Sequence, residues 1–298
     1  MLRGCIAFAL CMVAGHLYAL TLHHRDSTAI TVHDDTGRLV SIRLPARRIV
    51  TLAPSNTMIV TALGMTATIV GASSTDDDPL PAAVKRVGSV NPSIEDIVSL
   101  RPSLVMGIYG EEGLCDRLER LRISCMILSP HDIRGVMHDI ELVGRVLSAG
   151  TAASAVVKGM EKRLHWVSSK LKHCRTRPLV YFEIDASDPS RPFSAGRGSF
   201  IDSLIVMSHA VNIAHDVRTM WPQLSSEYIL ARDPDVIILS DGLPVRALRK
   251  RPGWSRIKAV RNGRVYSIRN DLVSRPGPEI VDAFIRIAED IHPEVFDR

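Results

Sequence analysis

The chain has 298 residues, room for two domains of ordinary size. Apolar residues make up 46% and charged residues 23%, which excludes a disordered chain and supplies enough hydrophobic material for real cores. The formal net charge is only +5 and the basic residues lack interleaved aromatics, so nucleic acid is not an expected partner.

Residues 1–19, MLRGCIAFALCMVAGHLYA, carry one Arg and then an apolar run ending at small Ala19, the outline of a secretory signal peptide. A membrane anchor is the weaker reading, because Gly15-His16 interrupts a run already shorter than the roughly 20 residues a span needs. A lipid tether through Cys11 is disfavoured by bulky Leu10 before it. The expected mature chain is exported, periplasmic and soluble, with that tether as the minority form. His23-His24 read as part of a tail at its start.

In the N-terminal segment 20–46, ITVHDDTGRLVSIRL (30–44) alternates around Asp35-Thr36-Gly37, a hairpin pattern. RIVTLAP (48–54) reads as a buried strand leading through Pro54-Ser55-Asn56 into a helix that stops at Gly64. A short strand (68–72), a helix opening at Ser93, a strand (103–107), a charged helix (111–122) and a strand (125–128) follow. This alternation predicts a lobe over 47–140 built on a mostly parallel sheet with flanking helices.

From 151 to 173, Ala152, Ala155, Val156, Gly159, Met160, Leu164, Val167 and Leu171 recur at helical spacing. They predict a helix of about 23 residues, near 35 Å long, within a bridging segment 141–176. Residues 177–298 then repeat the order of the first lobe: strand (179–184), helix (199–207), short strand (211–214), helix opening at Ser225, strand (235–239), basic helix, strand (265–268). A last amphipathic helix carries Ile280, Val281, Phe284, Ile285, Ala288 and Ile291 on one stripe. The expected fold is α/β: two similar lobes with mostly parallel sheets flanked by helices, bridged by a single long α-helix.

Without the leader, three cysteines remain, Cys115, Cys125 and Cys174. Cys115 reads as helical and Cys125 as lying in the next strand. Helix and sheet layers sit about 10 Å apart, beyond disulfide reach, so free and mostly buried thiols are expected, with a disulfide as the minority outcome. Between Arg246 and Arg264 lie eight Lys/Arg residues and no acid. The bland reading is a solvated face; attraction to an anionic ligand or lipid heads is the functional one.

Two stretches share one pattern. NPSIEDIVSLRPSLV (91–105) and LSSEYILARDPDVII (224–238) each place a Ser at a helix start, a Glu two residues later, a Pro seven residues after that and a buried strand beyond. A carboxylate in the first turn is favoured by the free N–H groups and the helix dipole, by about 0.3–1 kcal/mol. Capping explains either Glu alone, but not both in equivalent places. If the lobes are related by a pseudo-two-fold, Glu95 and Glu227 project from one face and suit a symmetric partner bearing Arg residues.

These stretches, together with RIVTLAPSNT (48–57), PFSAGRGSFIDSLI (192–205) and DLVSRPGPEIVDA (271–283), resemble the periplasmic substrate-binding proteins of ABC importers, in the class whose two lobes are bridged by a long helix. That family delivers vitamin B12, iron-siderophores or haem. The resemblance spans roughly residues 30–293. It implies an ABC permease as partner, docked through Glu95 and Glu227, a monomeric chain, and no catalysis, resident metal or cofactor of its own.

The ligand is expected between the lobes, at loops on the carboxyl ends of the strands. Tyr109, Phe193 and Trp221 fall on such loops in a chain with only 5% aromatics. Among family members the vitamin-B12 binders look most similar: they share Trp-Pro-Gln before the second docking Glu, aromatics matching Tyr109 and Phe193, and an Asp and Arg matching Asp271 and Arg275. Ser55, Asn56 and Thr75 complete the expected ligand set. The chain departs from that pattern at Thr75, where an aromatic is expected, and at GSVNP, where a Trp is missing. A corrinoid is therefore the leading ligand, and an iron-siderophore or haem the alternative. Haem needs an axial group; Tyr109 is available, while His131, His138, His209 and His215 sit at no ligand spacing and read as solvent or packing residues.

The rival class is an α/β hydrolytic enzyme. GRGSF (196–200) lacks the third Gly of a dinucleotide loop, the Gly-Lys-Ser/Thr of a P-loop and the Gly after Ser of a nucleophile elbow. Gly196 and Gly198 read as loop residues before a Ser199 cap. Asp76-Asp77-Asp78 before Pro79 reads as a solvated turn.

Overall fold

A computed structural model describes residues 29–89 and 91–296. The signal peptide, Cys11, and His23-His24 lie outside the described residues. The N-terminal segment is an antiparallel hairpin of β1 (Ala29–His33) and β2 (Leu39–Arg43). Its turn is held by Asp34, whose Oδ1 accepts from Thr36 N, Thr36 Oγ1 and Arg38 N, and Gly37 takes the left-handed φ of +80° that closes it.

The first lobe follows: β3 (Ile49–Thr51), α1 (Pro54–Ala62), β4 (Ile69–Ala72), β5 (Lys85–Arg86), α2 (Ile94–Ser99), β6 (Leu104–Gly107), α3 (Glu112–Arg120) and β7 (Cys125–Ile127). Its strands form a parallel sheet in the order β5-β4-β3-β6-β7. Two helices then lie side by side, α4 (Ile133–Val146) and α5 (Gly150–Leu171). The 22 residues of α5 span about 33 Å. Gly144 lets the pair approach closely, since a Cβ there would sit 2.4 Å from Cβ of Ala153.

The second lobe contains β8 (Leu179–Asp185), β9 (Phe193–Ser194), α6 (Phe200–Met207), β10 (Val211–Asn212), α7 (Ser226–Arg232), β11 (Val236–Leu239), α8 (Lys258–Arg261), β12 (Val265–Ser267), α9 (Asn270–Ser274) and α10 (Ile280–Ile291). Its sheet runs β10-β8-β11-β12, parallel throughout, with short β9 antiparallel to β8. In each lobe the first strand is central, the next lies to one side, and the chain crosses back through α2 or α7 to β6 or β11 on the other. The two lobes therefore repeat one topology.

The central strands of both sheets are covered on both faces, which explains why β3, β6 and β11 read as nearly unbroken apolar runs. Ile49, Leu104, Met106, Val180, Phe182 and Ile238 point into one continuous core that also takes in α4, α5 and α10 and so crosses from lobe to lobe. Val50 and Val105 face outward beneath α2 and α3, and Tyr181 and Ile237 beneath α7 and α8, in two separate outer clusters.

Three sequence expectations are corrected. Cys115 and Cys125 are joined in a disulfide, with Cα atoms 5.1 Å apart, instead of being free thiols. The tight return from α3 into β7 stacks the first turns of the helix directly on this edge strand, so the two inward-facing residues meet well inside the usual layer spacing. Second, the basic stretch 246–264 is not all solvated. Arg251 turns inward to grip buried Glu183 with bonds of 2.6 and 2.8 Å, while its guanidinium carbon lies 4.5 Å from the Trp254 ring centre. Third, the Asp76-Asp77-Asp78 turn is only partly solvated. Asp76 is buried against the hydroxyl of Thr57, Asp77 pairs with Arg275, and Asp78 is half-buried.

Candidate functional site

The loops at the carboxyl ends of the two sheets meet each other. Arg275, beyond α9 in the second lobe, bonds the carboxylate of Asp77, beyond β4 in the first, and the chain at Gly277 packs on Met58 of α1. These contacts define one interlobe face, and the sequence-predicted ligand residues distribute around it unevenly.

On the second lobe, β9 is extended into a three-stranded ribbon. Ser194 N donates to Pro222 O at 2.8 Å, Gly196 N to Met220 O at 2.8 Å and Leu224 N to Pro192 O at 3.0 Å, with Phe193 paired to Gln223. Gly196 is required by this close approach, because a Cβ there would lie 2.5 Å from Thr219 O. In this register Phe193 and Trp221 share one face as diagonal neighbours. They are 40% and 48% exposed, unusual for such large rings and indicative of a surface kept for contact. Beneath the ribbon sits a buried polar knot: Glu183 accepts from Arg251 and from the Tyr181 hydroxyl at 2.9 Å. Burial and the Glu183 carboxylate push the Tyr181 phenol well up, so it stays a donor, while burial beside Glu183 also raises Asp241.

On the first lobe, Tyr109 is 76% exposed at the tip of the loop after β6. Two acids hold that tip. Glu111 accepts from Ile108 N at 2.8 Å, and Glu112 accepts from Gly110 N at 3.1 Å. Burial pushes the Glu111 carboxyl up to about 7. Ile108, Met220 and Val245 are further exposed apolar side chains on strand-end loops that the sequence reading did not select. Their signal was only their position after β6, before Trp221 and after β11.

Other predicted residues have different surroundings. Asn56 is buried and donates to the carbonyls of Met106 and Gly107, tying α1 to β6, and Ser55 is buried beside it. Thr75 is exposed, its hydroxyl 2.9 Å from that of Ser73. Asp271 lies 3.5 Å from Arg269 and accepts from Leu272 N. Arg275 is engaged by Asp77, whose carboxyl the guanidinium holds below its ordinary range. Burial together with Asp76 and Asp77 raises Asp78.

The twin helices match in backbone as well as in residues. Ser93 Oγ accepts from Asp96 N at 3.1 Å and Ser225 Oγ from Tyr228 N at 3.2 Å. Ile97 and Ile229 are fully buried, and Arg101 and Asp233 take left-handed φ of +47° and +44° just before Pro102 and Pro234. Each helix runs back against its parallel strands, so its first turn lies at the carboxyl edge of its sheet. Glu95 and Glu227 are both exposed in these first turns, one per lobe.

Ser199 is buried, its hydroxyl donating to Gly196 O at 2.7 Å and capping Asp202 N, which fits the cap reading and leaves no nucleophile. His215 rests on Asp202, which also binds Asn212. No described helix is long and apolar enough to cross a membrane.

Residues 49–272 match the family model described as periplasmic binding protein. An uncharacterised ABC transporter substrate-binding lipoprotein of Bacillus subtilis, YvrC, is 32% identical over 273 residues, covering 90% of this chain and 87% of that one. A cobalamin-binding protein of Halobacterium salinarum is 28% identical over 284 residues, covering 89% and 75%. Among solved structures, Helicobacter pylori CeuE superposes with a TM-score of 0.77 at 21% identity over 91% of this chain and 90% of that one. The vitamin B12-binding protein BtuF of Vibrio cholerae gives 0.73 at 22% over 85% and 99%. Both share the two-lobed α/β fold.

Proposed function

The chain belongs to the periplasmic binding protein family and is an exported, non-enzymatic substrate-binding component of an ABC importer; from that premise we propose that it captures a corrinoid between its lobes and hands it to an inner-membrane permease docked on Glu95 and Glu227. The observation that carries the ligand is the aromatic surface: Phe193 and Trp221 on one rigid ribbon, Tyr109 on the opposing loop, all left open to solvent. Flat apolar faces of this size suit a large planar ring system, whose polar substituents then meet Asp271, Thr75 and the Asp77–Arg275 pair. Ser55 and Asn56 support the loop floor from inside. Relatives named as cobalamin-binding and vitamin B12-binding support the same ligand class.

An iron-siderophore or haem is the second reading, favoured by exposed Arg246, Arg249 and Lys250 on the turn after β11, which suit an anionic chelate. The chain acts as a monomer, and the corrinoid is its cargo rather than a resident cofactor.

The deciding experiment titrates the purified protein separately with cyanocobalamin, haemin and a ferric hydroxamate. Native mass spectrometry reads stoichiometry, and tryptophan fluorescence is compared with that of Trp221→Phe. One corrinoid bound per chain, with quenching that depends on Trp221, is the expected result. Binding of haemin or the hydroxamate without corrinoid binding transfers the assignment to the second reading.

A further inference from the structure

The end of α5 and the turn after α10 bring together three side chains that take no part in the interlobe face. Sγ of Cys174, a ring nitrogen of His292 and a carboxylate oxygen of Glu294 all lie within 4.8 Å of one another. His292 is fully buried. Its Nε2 is 3.0 Å from Ser208 O and its Nδ1 is 3.3 Å from Oε1 of Glu294.

Both ring nitrogens thus face acceptors, and a neutral imidazole has one N–H to give. With the proton on Nε2, donated to the buried Ser208 carbonyl, the Nδ1 lone pair opposes a carboxylate. Two things relieve that opposition: a second proton on the ring, or a cation between the two groups. Cys174 favours the cation, because a sulfur ligand completes the set on the same side.

We propose that Cys174, His292 and Glu294 form a zinc site. A tetrahedral zinc with bonds of about 2.0–2.1 Å to nitrogen and oxygen sets those ligands about 3.3 Å apart, and Nδ1 and Oε1 are 3.3 Å apart. The sulfur closes by rotation of an unpaired, partly exposed side chain. The Ser208 carbonyl fixes the ring and its tautomer, as the outer partner of a metal-bound histidine does. Thiolate and imidazole together select zinc over magnesium or calcium. Glu294 is largely exposed, which leaves the fourth position open to water. Such an ion ties the end of the bridging helix to the C-terminal turn, and through Ser208 to the end of α6.

The test uses the full exported chain freed of metal by chelation. Isothermal titration with zinc should give one ion per chain, and cobalt should produce a thiolate-to-metal charge-transfer band. Cys174→Ser and Glu294→Gln should weaken zinc binding by about 100-fold and 10-fold. His23→Ala/His24→Ala should leave it unchanged, and circular dichroism should report all variants as folded. Zinc should also slow alkylation of Cys174, located by peptide mass spectrometry, by at least about tenfold. The site is overturned by absence of stoichiometric zinc, by undiminished affinity in Cys174→Ser, or by an alkylation rate indifferent to zinc. His292 and Glu294 are then an ordinary hydrogen-bonded pair.

Discussion

Arg275 of the second lobe holds Asp77 of the first through two guanidinium hydrogen bonds, 198 residues apart in sequence. The pair is a partly exposed ion pair at the interlobe face, so it contributes little to stability but occupies a cation that a ligand could use. Asp77→Ala should leave Tm within about 2 °C and strengthen binding of a phosphate-bearing corrinoid a few-fold. Arg275→Ala should weaken the same ligand about tenfold. The sign with pH follows from the depressed Asp77 carboxyl: the bridge is present above the usual carboxylate range and is lost only as pH falls through that lowered value. Calorimetric titration of both variants checks these outcomes; a weaker corrinoid affinity in Asp77→Ala would mean that the bridge itself shapes the site.

Phe193→Ala and Trp221→Ala should each cost about 1–3 kcal/mol of ligand affinity, roughly 5- to 150-fold. Because the two rings are neighbours on one ribbon, the double variant should lose less than the sum. A double-mutant cycle read by fluorescence or calorimetry measures the coupling. Unchanged affinity in Trp221→Ala would remove the aromatic surface from recognition.

Reversing both acids, in Glu95→Arg and Glu227→Arg, should leave ligand affinity untouched while abolishing stimulation of the permease ATPase and uptake in proteoliposomes. Each single reversal should fall between, since each acid would supply one of the two proposed contacts. Full transport by the double variant would exclude the docking role.

Asp139 on α4 is fully buried, and burial together with the Asp35 carboxylate pushes its carboxyl up to about 9 from 3.8. A raised acid keeps its proton in the folded state while the unfolded chain releases it above about 4. Its stabilising share is therefore complete at low pH and declines as pH rises towards 9, by at most about 1.4 kcal/mol per pH unit. Asp139→Asn should be nearly neutral at pH 4 and more stable than the parent at pH 7, by on the order of 2–4 kcal/mol. Urea denaturation at both pH values reads the difference. A parent whose stability is flat across that range would contradict the protonated state.

Much of the architecture was legible because local signals agree with global ones. Ser93 and Ser225 announced their helices, and Pro102 and Pro234 their ends. The runs Leu104–Gly107 and Val236–Leu239 read as doubly covered strands and are. What escaped depends on distances through space. Cys115 and Cys125 meet because α3 seats on an edge strand. Arg251 looks like one more surface cation until Glu183, 68 residues earlier, is seen beside it. Arg275 has the residue type of a ligand contact, yet its partner is an acid from a stretch that reads as solvent-facing. Helix α4 is absent from a strand-and-helix alternation because it belongs to neither sheet's crossover pattern but lies alongside α5.

The core that runs unbroken beneath α4, α5 and α10 has a mechanical corollary. A molecule whose halves share one frame cannot advertise occupancy by swinging shut, since any wide excursion would expose the apolar filling common to both. On the proposed ligand reading, loaded and empty forms should present nearly the same silhouette, and whatever tells them apart should read the rim itself: the tilt of Tyr109, the state of the Asp77–Arg275 pair, the cargo between them. If Glu95 and Glu227 dock a permease as proposed, unloading calls for an outside hand to spread the two rims, with these acids as the grips.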